Sequence, residues 1–132
     1  MAGKIVADTL EHSTAGSIAT NYVVEGSAKA WANNKMQFSA SVLDSFNQSS
    51  ISDDAQGKLT MSFSTALGNA NYSVSGMSRV ASGATAYASC AMIGNTTKTS
   101  SQLEVHFAYA NAGSHAYYDV PESGVSINGD LA

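Results

Sequence analysis

The stretch Leu59-Thr60-Met61-Ser62-Phe63-Ser64 alternates large apolar side chains with small polar ones. Successive side chains of a β-strand point to opposite faces, so the three apolar residues of this stretch share one face. The same period of two recurs in Leu103-Glu104-Val105-His106-Phe107-Ala108-Tyr109. Both stretches therefore predict strands with one buried face.

Weaker alternation and turn residues extend this pattern along the chain. The weaker predicted strands are 22–25, 28–32, 38–43, 71–75, 84–93, 117–120 and 125–127. Polar breaks rich in Gly and Asn separate them, at 53–57, 67–71, 81–83, 94–96 and 111–113. Pro121, the only proline, is expected to end a strand. Many short strands with regular turns predict an all-β protein, an antiparallel, jelly-roll-like β-sandwich.

The first residues differ in kind from the rest of the chain. Residues 1–20 contain a short apolar stretch followed by Glu11-His12-Ser13-Thr14-Ala15-Gly16-Ser17, which is too polar and too small-sided to pack on its own. We therefore expect residues 1–20 to form an extended N-terminal arm that docks on another chain or folds back on its own sheet. Residues 21–132 are expected to form the sandwich domain.

The composition favours contacts between protein chains and disfavours two other partners. Charged residues make up only 12% of the chain, about half of the usual ~25%, and Ser, Thr, Asn and Gly replace them. Such a surface is typical of extracellular and virion β proteins, and burying it costs less than burying Lys or Glu. The net charge is −4, and the six Lys and Arg residues are scattered. Nucleic acid and anionic membranes are therefore not expected partners.

The cysteine content and the first residues of the chain indicate whether disulfides can form and where the protein is made. The single cysteine, Cys90, excludes an internal disulfide and is expected to be a buried small hydrophobe. Residues 1–17 lack the basic and apolar regions of a signal peptide, and no run approaches a membrane span. We expect synthesis in a cytoplasm without export by the usual route.

The residues that could carry chemistry do not form a recognised catalytic or metal-binding pattern. His12, His106 and His115 occupy three separate segments without metal-ligand spacing. Glu104 and Asp119 could act as a pair of carboxylates only if the fold brings them together. The sequence therefore predicts no enzyme, no metal and no cofactor, with a glycan hydrolase as the enzymatic alternative.

Aromatic residues give a second alternative. Trp31, Tyr117 and Tyr118 could stack on sugar rings at the surface, or they could fill the core and the interfaces between chains. Because Tyr117 and Tyr118 are adjacent, they point to opposite faces of a strand. A carbohydrate-binding module therefore stays open.

Several stretches of the chain resemble segments that recur together in one group of proteins. The opening Lys4-Ile5-Val6-Ala7-Asp8-Thr9-Leu10-Glu11-His12-Ser13-Thr14-Ala15-Gly16-Ser17 is similar to the start of many of them. The stretches Val24-Glu25-Gly26-Ser27-Ala28-Lys29-Ala30-Trp31, 44–53 and 69–74 are also similar to this group, the tail-fibre-like and minor structural proteins of marine and cyanobacterial bacteriophages. The rest of the chain, including the closing Val125-Ser126-Ile127-Asn128-Gly129, agrees with the group in strand rhythm. The chain departs from the group just after Trp31.

The resemblance implies a structural role in a virion that assembles in the host cytoplasm. It implies a homotrimer, attached by its arm to other tail or capsid proteins and able to contact a host surface glycan. The expected attachment and oligomerisation residues are Lys4, Ile5, Val6, Asp8, Leu10 and His12. A capsid decoration (cement) protein that bridges capsomers is the alternative within the same class.

Overall fold

A computed structural model describes residues 6–80, 88–111 and 114–130, and its strands run antiparallel. The elements are β1 (Thr9–His12), β2 (Gly16–Ala19), α1 (Thr20–Gly26), β3 (Ala30–Lys35), β4 (Ser41–Phe46), β5 (Gln48–Ala55), β6 (Lys58–Phe63), β7 (Ser73–Arg79), β8 (Ala88–Lys98), β9 (Gln102–Asn111), β10 (Ser114–Tyr117) and β11 (Glu122–Asn128). The predicted all-β, antiparallel sandwich is confirmed.

Two large sheets form the sandwich. The four-stranded sheet has the order β4-β3-β11-β7. In the five-stranded sheet, β5, β6 and β9 are successive neighbours, and β8 pairs along the other edge of β9. β10 continues the line of β6, because β6 pairs with residues 102–106 of β9 and β10 with residues 108–111. The chain passes from one sheet to the other after β4, β6, β7 and β10.

The two strongest alternating stretches supply one side of the core. β6 buries Leu59, Met61 and Phe63, and β9 buries Leu103, Val105 and Phe107. The four-stranded sheet covers them with smaller side chains, namely Ala30, Ala32, Val74, Val125 and Ile127. Met36, Leu67, Tyr72 and Val120 close the ends of the core. The prediction that Phe63 and Phe107 face inward is confirmed.

Asn47 carries the chain from the four-stranded sheet to the five-stranded sheet. It is the single residue between β4 and β5, and its φ of 56° lies in the left-handed region that Asn tolerates better than most residues. Its Nδ2 donates to the backbone oxygens of Lys29 and Thr65 at 3.0 and 3.1 Å, and its Oδ1 accepts from the Thr65 amide at 2.7 Å. One side chain thus holds three segments at the corner of the sandwich.

Gly57 joins the β5–β6 turn to the strand β9. Its φ is 66°, and a Cβ here would lie 2.5 Å from the carbonyl oxygen of Phe107. The Gly57 carbonyl accepts from the Phe107 amide at 2.7 Å, and the Gly57 amide donates to Oδ1 of Asp119 at 2.7 Å. Asp119 is therefore committed to backbone capping at this turn.

The N-terminal segment, defined here as residues 6–26, forms a hairpin followed by a short helix. In the β1–β2 hairpin Leu10 lies opposite Ile18, and α1 buries none of its residues. The prediction of a strand at 22–25 is wrong, because these residues lie within α1. A segment without a neighbouring strand can still pair its backbone groups locally in a helix, which overrides the preference of Val23 and Val24 for strands.

The predicted break at 94–96 is also wrong, because these residues lie inside β8. A Cβ on Gly94 would come within 2.6 Å of the Glu104 side chain on the neighbouring strand. This glycine therefore makes room for a side chain rather than a turn, a recognised use of glycine within strands. The pairing of β8 with β9 does become irregular between Ile93 and Lys98.

Candidate functional site

A groove crosses the outer face of the four-stranded sheet. The register aligns Trp31 of β3 with Ser126 of β11 and Ser75 of β7. The next row on this face consists of Asn33, Gly124 and Met77. These two rows line a groove of about 560 Å³, which lies within the roughly 300–1,000 Å³ typical of small-molecule sites.

The groove exists because the middle strand carries no large side chain at its centre. An added Cβ on Gly124 would meet no atom within 4 Å, so this position opens directly onto the groove. The walls are apolar, with Trp31 38% exposed on one side and Met77 80% exposed on the other. Phe46 lies beside Trp31 on β4 and is half exposed, which extends the apolar wall.

Polar side chains stand at one end of the groove. The Nδ2 of Asn33 donates to Oε1 of Glu122 at 2.8 Å. The other carboxylate oxygen of Glu122 lies 3.7 Å from Nη1 of Arg79, an exposed side chain. Asn33 thus orients the Glu122 carboxylate, while Oε2 of Glu122 has a long contact and stays partly open to solvent.

A second polar cluster lies on the outer face of the five-stranded sheet. Glu104 and His106 are each only 6% exposed, and Nε2 of His106 lies 2.6 Å from Oε1 of Glu104. The Tyr117 ring packs edge-on against the His106 ring, with centroids 5.4 Å apart. Nζ of Lys58 lies 5.3 Å from the Tyr117 centroid. Glu104 and His106 thus share one short hydrogen bond in a buried position on this face.

The two carboxylates that the sequence singled out, Glu104 and Asp119, do not form a pair. Glu104 contacts His106, and Asp119 caps Gly57, so the two carboxylates have different partners. Tyr118 packs against the core and edge-on against Tyr109, whereas Tyr117 lies on the outer face. His115 is exposed on β10. Within the described residues, no group of three His, Cys, Asp or Glu side chains could hold a metal ion.

The expected attachment residues fall partly within the described chain. Val6, Asp8 and Leu10 are exposed, and His12 lies in β1. Lys4 and Ile5 lie outside the described residues, as does the side chain of Cys90. Exposed apolar side chains continue from Leu10 through Ile18 to Tyr22, Val23 and Val24. The N-terminal segment thus presents an apolar surface to solvent.

Comparison with protein-family models, with curated proteins and with solved structures finds no match to this chain. Among the helices that the structure describes, none has the length and apolar character needed to cross a membrane.

Trp31 is the one residue of the groove that the sequence singled out. Asn33, Met77, Glu122 and Gly124 come from three strands that are distant in sequence and meet only through the sheet register. Gly124 did leave a signal, because a lone glycine inside the alternating Ser123-Gly124-Val125-Ser126-Ile127 indicates an open or crowded point on a strand. The glycine thus points to a special position on β11, but the sequence does not show that Asn33 and Met77 lie beside it.

Proposed function

We propose that this chain is a structural protein of a bacteriophage virion, a homotrimeric tail-fibre-like appendage that its N-terminal segment anchors to the particle. The observation that carries this proposal is the apolar surface of that segment. Leu10 and Ile18 are cross-strand partners in the hairpin, 47% and 46% exposed. A paired apolar surface of this kind gains stability when another chain covers it.

The helix extends this surface. Tyr22, Val23 and Val24 are all exposed on α1, in a helix with no buried residue. A seven-residue helix is too short to be stable through its own hydrogen bonds, so packing must contribute most of its stability. A partner chain on α1 would supply that packing.

The helix is also linked to the sandwich. Nζ of Lys29, a buried residue, donates to the Val24 carbonyl, and Nδ2 of Asn128 donates to the Gly26 carbonyl at 3.2 Å. These bonds fix the end of α1 beside the first strand of the four-stranded sheet. A force or a contact at the N-terminal segment is therefore transmitted to the folded domain.

The scarcity of charge supports contacts between subunits. Desolvating Ser, Thr and Asn at an interface costs less than desolvating Lys or Glu, so a low charge content favours subunit burial. A capsid decoration protein would use the same surface chemistry. Copy number separates the two: we expect tens of copies per particle for a tail appendage and hundreds for a decoration protein.

The test is incorporation of variant chains into particles. The double substitution Leu10→Ser and Ile18→Ser removes the apolar pair, and Glu11→Ser on the opposite face of the hairpin is the control. We expect the double variant to keep the thermal unfolding midpoint of the sandwich but to be lost from gradient-purified particles, as measured by quantitative mass spectrometry. Incorporation equal to that of the control would contradict the proposal.

A further inference from the structure

We infer that sister subunits of the proposed trimer meet through the outer face of the four-stranded sheet, where Phe46, Trp31 and Met77 lie. The inference rests on the proposed function and adds to it the surface that joins one copy of the chain to the next. The direction of the side chains on β3, the composition of the face, its shape and its charge support it.

The strand β3 directs its largest side chain away from the core. Ala30 and Ala32 face inward and are buried, whereas Trp31 between them faces outward and is 38% exposed. β3 lies inside the sheet, between β4 and β11. A large apolar side chain on such a strand gains stability when it is removed from water, and the inward side of β3 does not provide this for Trp31. A covering chain on the outward side would.

The exposed side chains of this face are of the kinds that protein interfaces favour. Phe46 is the register neighbour of Trp31 and is 54% exposed, and Met77 on β7 is 80% exposed. Aromatic residues and Met are enriched at the buried centre of interfaces, and Trp is among the residues that contribute most to binding. Between these side chains lie Gly124 and Ser126, which are small enough to let a second chain come close.

The shape of the face is complementary to itself, which identifies the covering chain as a second copy. Trp31 and Phe46 form a ridge on β3 and β4, and the groove of about 560 Å³ lies beside this ridge, between Trp31 and Met77. The groove is open at Gly124, where an added Cβ meets no atom within 4 Å. The ridge of one copy can therefore enter the groove of the next. Because ridge and groove are different parts of the chain, this contact is heterologous, the type that forms a ring when the rotation between copies closes.

The charge of the face suits contact between identical copies. Each of the four strands carries one charged residue, and the two acids and two bases sum to zero, namely Asp44, Lys35, Glu122 and Arg79. Glu122 and Arg79 already lie 3.7 Å apart on the same face. Two copies of a face without net charge do not repel each other.

The substitution Met77→Lys tests this interface, with Phe38→Lys as the matched control. Phe38 is 95% exposed, lies in the loop between β3 and β4, and does not line the groove. Burying a new Lys between subunits is costly, so light scattering at micromolar concentration should show Met77→Lys as a single chain of 13.6 kDa. Phe38→Lys adds the same charge and should keep the mass of three chains. Circular dichroism should show both variants folded.

Trp31 reports the position of the interface, because it is the only tryptophan in the chain. In Met77→Lys its emission should shift to the red and its quenching by acrylamide should increase, since the ring loses the neighbouring subunit. Phe38→Lys should keep the emission and the quenching of the unsubstituted chain.

Two results would overturn the inference. One is a folded Met77→Lys variant that keeps the mass of three chains. The other is dissociation of this variant without a change in the emission or the quenching of Trp31, which would place the interface elsewhere. Both results leave the proposed trimer standing, whereas a single-chain mass for the unsubstituted protein would contradict the trimer and this interface together.

Discussion

At the scale of single residues, Tyr72 shows how the end of the core is closed. Its ring packs edge-on against Phe63 with centroids 6.0 Å apart, and its hydroxyl donates to the Gln102 carbonyl at 3.1 Å. Burial disfavours the charged phenolate and raises the pKa of Tyr72 from 10.0 to about 12. Between pH 10 and about 12 the folded protein therefore keeps the Tyr72 hydroxyl proton, whereas the unfolded chain has already lost it.

This pKa shift predicts a loss of stability at alkaline pH. Because the folded pKa is the higher one, the contribution of Tyr72 is present in full below pH 10 and is lost as pH rises towards 12. Urea unfolding between these pH values should show a steeper decline of the free energy of unfolding for the natural chain than for Tyr72→Phe. Equal declines for the two proteins would contradict the assignment.

The buried Glu104–His106 pair is a second residue-scale feature with a measurable consequence. Removing one partner deletes the 2.6 Å hydrogen bond that the other makes in a buried position, which costs about 1–3 kcal/mol. Glu104→Leu and His106→Leu should each destabilise the fold by about that amount. The double variant should cost less than the sum by at least about 0.5 kcal/mol, because the pair shares one interaction. Additive costs in chemical unfolding would show that the two side chains act independently.

At the scale of elements, the turn between β5 and β6 depends on the absence of a side chain at Gly57. A Cβ there would meet two backbone atoms, the Phe107 oxygen at 2.5 Å and the Tyr118 nitrogen at 2.7 Å. Gly57→Ala should therefore destabilise the fold by at least about 2 kcal/mol. Gly124→Ala is the control, since its Cβ enters open space and should change stability by no more than about 0.5 kcal/mol. Similar unfolding free energies for the two variants would contradict this role for Gly57.

The strand β9 contributes the centre of the core. Phe107 is fully buried, whereas Phe38 is 95% exposed. Phe107→Ala should lower the free energy of unfolding by about 3–5 kcal/mol, and Phe38→Ala should leave it within about 0.5 kcal/mol. A cost for Phe107→Ala close to that of Phe38→Ala would mean that the faces of β9 are reversed.

The strands that could be predicted from sequence are those in which large apolar side chains alternate with polar ones, because this alternation shows which face of the strand is buried. β6 and β9 alternate large apolar and polar residues, and burial follows this alternation in β6. In α1, which buries none of its residues, the β-branched Val23 and Val24 led to the wrong prediction of a strand. The β1–β2 hairpin also went unpredicted, although the glycine that begins β2, Gly16, has a φ of 93° and marks a turn.

The groove could not be predicted for a different reason. Trp31 and Gly124 lie close together only because β11 pairs with β3, a contact between distant parts of the chain. Alternation identifies the faces of a strand but does not set the register between strands. The sequence therefore allowed a residue of one strand, such as Trp31, to be proposed as a surface site. Its neighbours on the other strands could be identified only from the structure.

At the scale of the whole molecule, the sandwich has one buried core and an N-terminal segment whose apolar side chains face outward. Two of the core residues of the four-stranded sheet, Ala30 and Ala32, are alanines, so this half of the core is thin. Stability gained between subunits would complement such a core. In the proposed trimer, the low charge content serves this same purpose, while the N-terminal segment contacts the particle.

The molar mass of the purified chain in solution tests this account most directly. Light scattering or sedimentation at micromolar concentration should give three times the 13.6 kDa of one chain. The Leu10→Ser, Ile18→Ser variant should keep the trimer mass, because the exposed apolar pair is proposed to contact the particle and not a sister subunit. A mass of 13.6 kDa for the unsubstituted chain, with the sandwich fully folded, would contradict the account.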